Sequence, residues 1–73
     1  MPDKMDPEKA ARIKLLQRAI ELSGMSARQF ATQVLIRDER TVRKWLHGDS
    51  EVPDVVRDFL IGYIHDKEKG KGT

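Results

Sequence analysis

The chain contains no cysteine. That excludes a disulfide framework, a thiolate metal site and a cysteine nucleophile. Aromatic residues are scarce, with one Trp, one Tyr and two Phe, so most of any core must be aliphatic. No apolar run is long enough to span a bilayer. The opening stretch Met1-Pro2-Asp3-Lys4-Met5-Asp6 is polar and acidic, whereas a secretory signal needs a basic start and then an apolar stretch. A cytoplasmic protein is therefore expected. The residues of common catalytic sites are also missing: there is no nucleophile–base pair, no paired carboxylates in an apolar setting and no Gly-rich phosphate loop. His47 and His65 are the two histidines, and their spacing matches no metal-ligand pattern. Seventy-three residues make one small domain with little room for a pocket of even roughly 300 Å³. We read the chain as not an enzyme, with no cofactor, metal or small-molecule ligand. A core of this size is marginal, so a second copy would help to stabilise it.

What is present is charge, unevenly placed. The formal net charge is +2. Residues 26–48 hold five basic side chains (Arg28, Arg37, Arg40, Arg43, Lys44) against Asp38 and Glu39, whereas residues 49–73 hold four basic against six acidic. A basic middle third on an otherwise balanced domain suits a polyanion, although a solvated surface explains such charges equally well until a motif is found.

The apolar spacing is helical, and no stretch alternates with period two. Asp6-Pro7 is a suitable helix start, because Pro lacks the N–H that would be left unpaired there. Ile13, Leu16 and Ile20, with Leu15, Ala19 and Leu22, carry the first helix on three- and four-residue steps, while Lys9, Arg12, Lys14, Gln17, Arg18 and Glu21 mostly fill its other face. Gly24 supplies a left-handed stop. Ser26-Ala27-Arg28-Gln29 reads as a capping box, opening a short helix that ends near Val34 or Leu35. Asp38 caps a third helix, and Glu39 favours the positive end of its dipole. Val42, Trp45 and Leu46 are that helix's apolar stripe, and Gly48 ends it. A fourth helix opens near Pro53 and carries Val55, Val56, Phe59, Leu60 and Tyr63 or Ile64, with Gly62 weakening its last turn. Residues 1–6 read as a flexible segment and 66–73 as a polar, disordered tail. The expectation is an all-α fold.

Two short helices joined by a tight turn, the second basic on one side, follow the plan of a helix-turn-helix. Ser26-Ala27-Arg28-Gln29-Phe30-Ala31, then Arg40-Thr41-Val42-Arg43-Lys44-Trp45-Leu46-His47-Gly48 and Val52-Pro53, resemble the Cro and lambda-repressor-like family of bacterial and phage regulators, also called the xenobiotic-response-element type. The shared features are a Ser cap, an apolar-Ala pair, an aliphatic residue in the recognition helix, a W-x-x-G end and a later Pro. The resemblance spans about residues 10–62. It implies a compact domain of four to five helices over residues 7–65 that binds double-stranded DNA, acting as a transcriptional repressor and as a homodimer on palindromic half-sites roughly 34 Å apart.

The resemblance also implies roles for residues. Phe30, Ala31, Val34, Val42, Trp45 and Leu46 would be the core of the motif, with Ala31 small because its two helices cross there. Glu39, Arg40 and Arg43 are expected at base edges, since Arg pairs with guanine and Glu can accept from cytosine. Arg28, Arg37, Thr41, Lys44 and His47 are expected on the DNA backbone, Arg28 substituting for the usual polar residue where Ala27 stands. Ile61 and Ile64 are candidate dimer contacts or core. There are two departures: Ala31 to Val42 is one residue longer than the family's commonest spacing, and Leu35-Ile36-Arg37 lacks the usual turn Gly. Another turn of the second helix or a looser turn would absorb the extra residue. A different class of function, a protein-interaction module such as an antitoxin or adaptor, fits the acidic C-terminal third and the aliphatic Ile61 and Ile64.

Overall fold

A computed structural model describes residues 7–71. The expected segment 1–6 lies outside them. Helix α1 runs Pro7–Ser23, α2 is the single turn Ala27–Gln29 that continues without a break into a π-helical stretch Phe30–Leu35, α3 runs Glu39–His47 and α4 runs Asp54–Lys71. No strand occurs among the described residues.

Local chemistry sets most of these boundaries. Gly24, with φ +73°, turns the chain out of α1. The capping box forms in both directions: the Gln29 N–H donates to Ser26 Oγ at 3.1 Å, and the Ser26 N–H donates to Gln29 Oε1 at 3.2 Å. Asp38 caps α3 by accepting from the Arg40 N–H at 2.9 Å. Gly48, with φ +83°, closes α3 in a Schellman arrangement. The Asp49 N–H reaches the Lys44 carbonyl at 2.9 Å and the Gly48 N–H reaches that of Trp45 at 3.1 Å.

The span of eleven residue steps from Ala31 to Val42 is accommodated inside the second helix. Ala31 and Val42 are both buried, so neither can move to accommodate it. The backbone widens instead to i→i+5 bonding over Phe30–Leu35, a form that occurs mostly as short bulges within helices. The Ala31 carbonyl then accepts from the N–H groups of both Ile36 and Arg37, the latter at 2.8 Å. Ile36 takes the left-handed conformation, φ +55° and ψ +51°, a position that glycine fills more easily. It is the single non-glycine residue with positive φ among the described residues. A β-branched residue is strained there.

The core is one cluster of Leu16, Ala19, Phe30, Ala31, Val42, Trp45, Val52, Val56 and Leu60. Phe30 is fully enclosed and meets the Tyr63 ring edge-on at 5.4 Å, a favourable aromatic geometry. Val34, Leu46 and Ile64 are half-buried against this cluster.

Two sequence expectations need correction. Arg12 does not sit on a solvent face: it is buried at 6% exposure. Its Nη1 donates to the Val52 carbonyl at 2.5 Å, and its Nη2 bonds Glu8 and lies 2.7 Å from Asp54 Oδ1. Burial opposes the charge, but the bonds to Glu8 and Asp54 outweigh it and hold the guanidinium above its ordinary value. A buried charge is tolerated when it is paired and hydrogen-bonded in this way. The second correction concerns the tail: residues 66–71 are helical. Lys67 Nζ lies 5.5 Å from the Tyr63 ring centroid, and Glu68 bonds Arg18 at 3.1 Å, so polar residues extend α4 beyond the core. That bond to Glu68, with burial opposing and Glu21 adding, also holds the Arg18 guanidinium above its ordinary value.

Phe30→Ala should remove about 3–5 kcal/mol of stability. Small domains have about 5–15 kcal/mol in all, so thermal melting by circular dichroism should show a transition shifted far down or absent. Ile36→Gly should act the other way. The side chain is 73% exposed, so little packing is lost, and relief of the left-handed strain should stabilise the domain by about 1 kcal/mol, read as a higher urea midpoint.

Candidate nucleic-acid interface

Helix α3 has two opposed faces. Val42 and Trp45 are buried and fix the helix against α1, α2 and the π-helical stretch. The remaining face points outward. On it, Arg40, Lys44 and His47 are exposed and fall at steps of four and three, one line along the helix. None of the three side chains has an ion pair or hydrogen bond among the described residues. Nine residues at about 1.5 Å each give a rod of about 13 Å, a length that a major groove admits.

The flank of the helix is organised differently. Glu39 stands between two arginines: its Oε2 accepts from Arg43 Nη2 at 2.9 Å, and its Oε1 lies 3.1 Å from Arg28 Nε. The second contact is a charge pair and not an aligned hydrogen bond. Glu39 thereby joins the first turn of α2 to α3 and lowers the positive charge of this flank. Both arginine side chains remain mostly exposed, Arg28 at 79% and Arg43 at 61%.

The residues expected at base edges are thus divided. Arg40 joins Lys44 and His47 on the outward line, while Glu39 and Arg43 hold each other at its side. Thr41 is half-buried. Arg37 is exposed in the turn before α3, where it lines a groove against α4 with Val55 and Phe59. Of the residues expected at a dimer contact, Ile61 is 49% exposed and Ile64 packs on the core. The clamp made by Glu39 escaped the sequence reading, although the four-residue step from Glu39 to Arg43 is a recognised ion-pair spacing.

Among the described residues no group of three or more His, Cys, Asp or Glu side chains is placed to hold a metal, and no helix is long and apolar enough to cross a membrane. A hollow beside Arg28 and Arg43, lined also by Ala27, Glu39 and Leu46, measures about 60 Å³. That is small beside ordinary ligand pockets of about 300 Å³ and more.

Comparison with protein-family models, with curated proteins and with solved structures finds no match to this chain.

Glu39→Gln should leave the fold nearly unchanged, since exposed ion pairs contribute about 0–1 kcal/mol. It removes one negative charge from the α3 flank and releases both arginines. The variant should elute from a heparin column at higher salt than the parent, with an unaltered helical spectrum.

Proposed function

We propose that the chain is a sequence-specific double-stranded DNA-binding domain, with α2 and α3 as the two helices of a helix-turn-helix. The observation that carries this reading is the outward line of Arg40, Lys44 and His47, free of partners among the described residues, on a helix whose opposite face is fixed by Val42 and Trp45. A recognition helix needs both properties. Its inner face must be rigid, so that donors arrive at set positions, and its outer donors must not be spent within the chain.

In this reading α3 lies in the major groove. Arg40, nearest the N-terminal end of the line, meets base edges. Lys44 and His47 meet phosphate or bases according to the tilt of the helix. Arg43, steered by Glu39, stands beside them, and Arg28 reaches the backbone from α2. Phosphate contacts position the domain and base contacts give it sequence preference. The transcriptional role implied by the family resemblance is repression, by a dimer that covers a promoter.

The test is selection from a random duplex pool by the purified protein at two salt concentrations. A palindrome should be enriched, and affinity should fall steeply with salt, because bound lysine and arginine release counterions. Arg40→Ala combined with Lys44→Ala should leave melting within about 0.5 kcal/mol of the parent, as exposed positions usually do, and should weaken duplex binding by at least about tenfold. Unchanged binding by that variant, or binding indifferent to salt, would remove the reading.

A further inference from the structure

One face of α4 is left uncovered by other elements among the described residues, although Phe59 leans on Tyr63 of its own helix with ring centroids 5.8 Å apart. Val55 is 71% exposed and Phe59 43% exposed. Gly62 and Asp66 follow at the next helical steps, so the four form one stripe along the helix. Beside Val55 and Phe59 runs an apolar groove of about 190 Å³, completed by Val34, Leu35 and Val56 and edged by Arg37.

Gly62 is the unusual member of the stripe. It lies in the interior of an 18-residue helix, where glycine is less favourable than alanine by about 1 kcal/mol. Nothing among the described residues requires it. Its φ is not positive, and a Cβ built there would meet no atom within 4 Å. The space that glycine keeps clear is filled by none of the described residues. One turn before it stands Phe59, a large exposed ring.

The charges at the two ends of the stripe are complementary. Arg37 edges the groove at the Val55 end, and Asp66 stands at the other. Both are exposed, and neither side chain has a partner among the described residues.

We propose that this face is the contact between two copies of the chain, with α4 packed antiparallel against α4 of the second copy about a two-fold axis between Phe59 and Gly62. Antiparallel pairing puts Phe59 of each copy over Gly62 of the other, where the absent side chain leaves room for the ring. The same pairing puts Asp66 of the second copy opposite Val55, next to Arg37. A two-fold axis makes both contacts twice, as an isologous interface requires. A single pair of helices whose stripe matches its own reverse needs no other occupant. The proposal gives a contact surface to the dimer in the DNA-binding reading, and it places that surface on Val55, Phe59 and Gly62 and not on Ile61.

Sedimentation equilibrium without DNA, over micromolar to submillimolar protein, tests it. The parent should approach twice the chain mass of 8.4 kDa. Gly62→Gln should raise the melting temperature of the monomer, because it replaces a helix-interior glycine in open space, and should still abolish the dimer by filling the place of the ring. Arg37→Asp and Asp66→Arg should each weaken association by at least about tenfold, through like charges brought together, and the double exchange should restore it. Ile61→Asp should leave the dimer intact. A monomeric parent would assign the face to another protein and overturn the proposal. So would a dimer that survives Gly62→Gln, or one lost with Ile61→Asp. Duplex binding by α3 is measured separately, so failure of the dimer leaves the DNA-binding reading to its own test, and the reverse holds.

Discussion

Ala31 and Val42 are both held in the core, and eleven residue steps must fit between them. That constraint shapes the presentation of α3. With both ends buried, neither helix can slide to take up the length of the connection. It widens the helix over Phe30–Leu35, turns left-handed at Ile36 and restarts at the Asp38 cap. The strain at Ile36 is local and exposed, whereas displacing Ala31 or Val42 would open a cavity in a core with few members. Cavities cost about 24 cal/mol per Å³ on top of the lost burial, so a void of about 80 Å³ already costs about 2 kcal/mol before that burial is counted, the range of one strained residue at about 1–3 kcal/mol. The backbone gives way because the packing cannot.

The direction of α3, and with it the outward line of Arg40, Lys44 and His47, follows from that resolution. Trp45 and Val42 decide which side of the helix faces in. The Ile36 turn and the Asp38 cap decide where the helix begins. Glu39 then acts on what remains outside, restraining Arg28 and Arg43 and leaving the three-residue line free of partners among the described residues. One short helix thus has a rigid inner face, a free outer line and a regulated flank.

Much of this was legible in the sequence because it is local. Ser26, Asp38, Gly24 and Gly48 announce the helix ends through bonds that span a few residues. Phe30, Ala31, Val42 and Trp45 declare themselves by spacing. The parts that were not legible depend on distant partners. Arg12 reads as one more polar residue on the outer face of α1, because its carbonyl acceptor is forty residues away at Val52. The polar end of α4 reads as a tail, because Glu68 bonds Arg18 fifty residues earlier. The extra residue before α3 was visible, and so was the missing glycine. Which of the two ways of absorbing it would prevail depended on burial at both ends, which spacing alone does not disclose.

Arg12 also bears on how the domain tells one packing from another. The apolar contacts between α1 and α4 are made by aliphatic side chains, which lose little when one helix slides a turn along its neighbour. The Arg12 guanidinium on α1 bonds the Val52 carbonyl and pairs with Asp54 at the start of α4, so a slide of α4 along α1 leaves the buried charge with Glu8 of its own helix alone. Its net gain in stability is offset by the cost of desolvating it. What it contributes is register: the start of α4 is pinned to a single turn of α1, and the apolar core is packed around that fixed point.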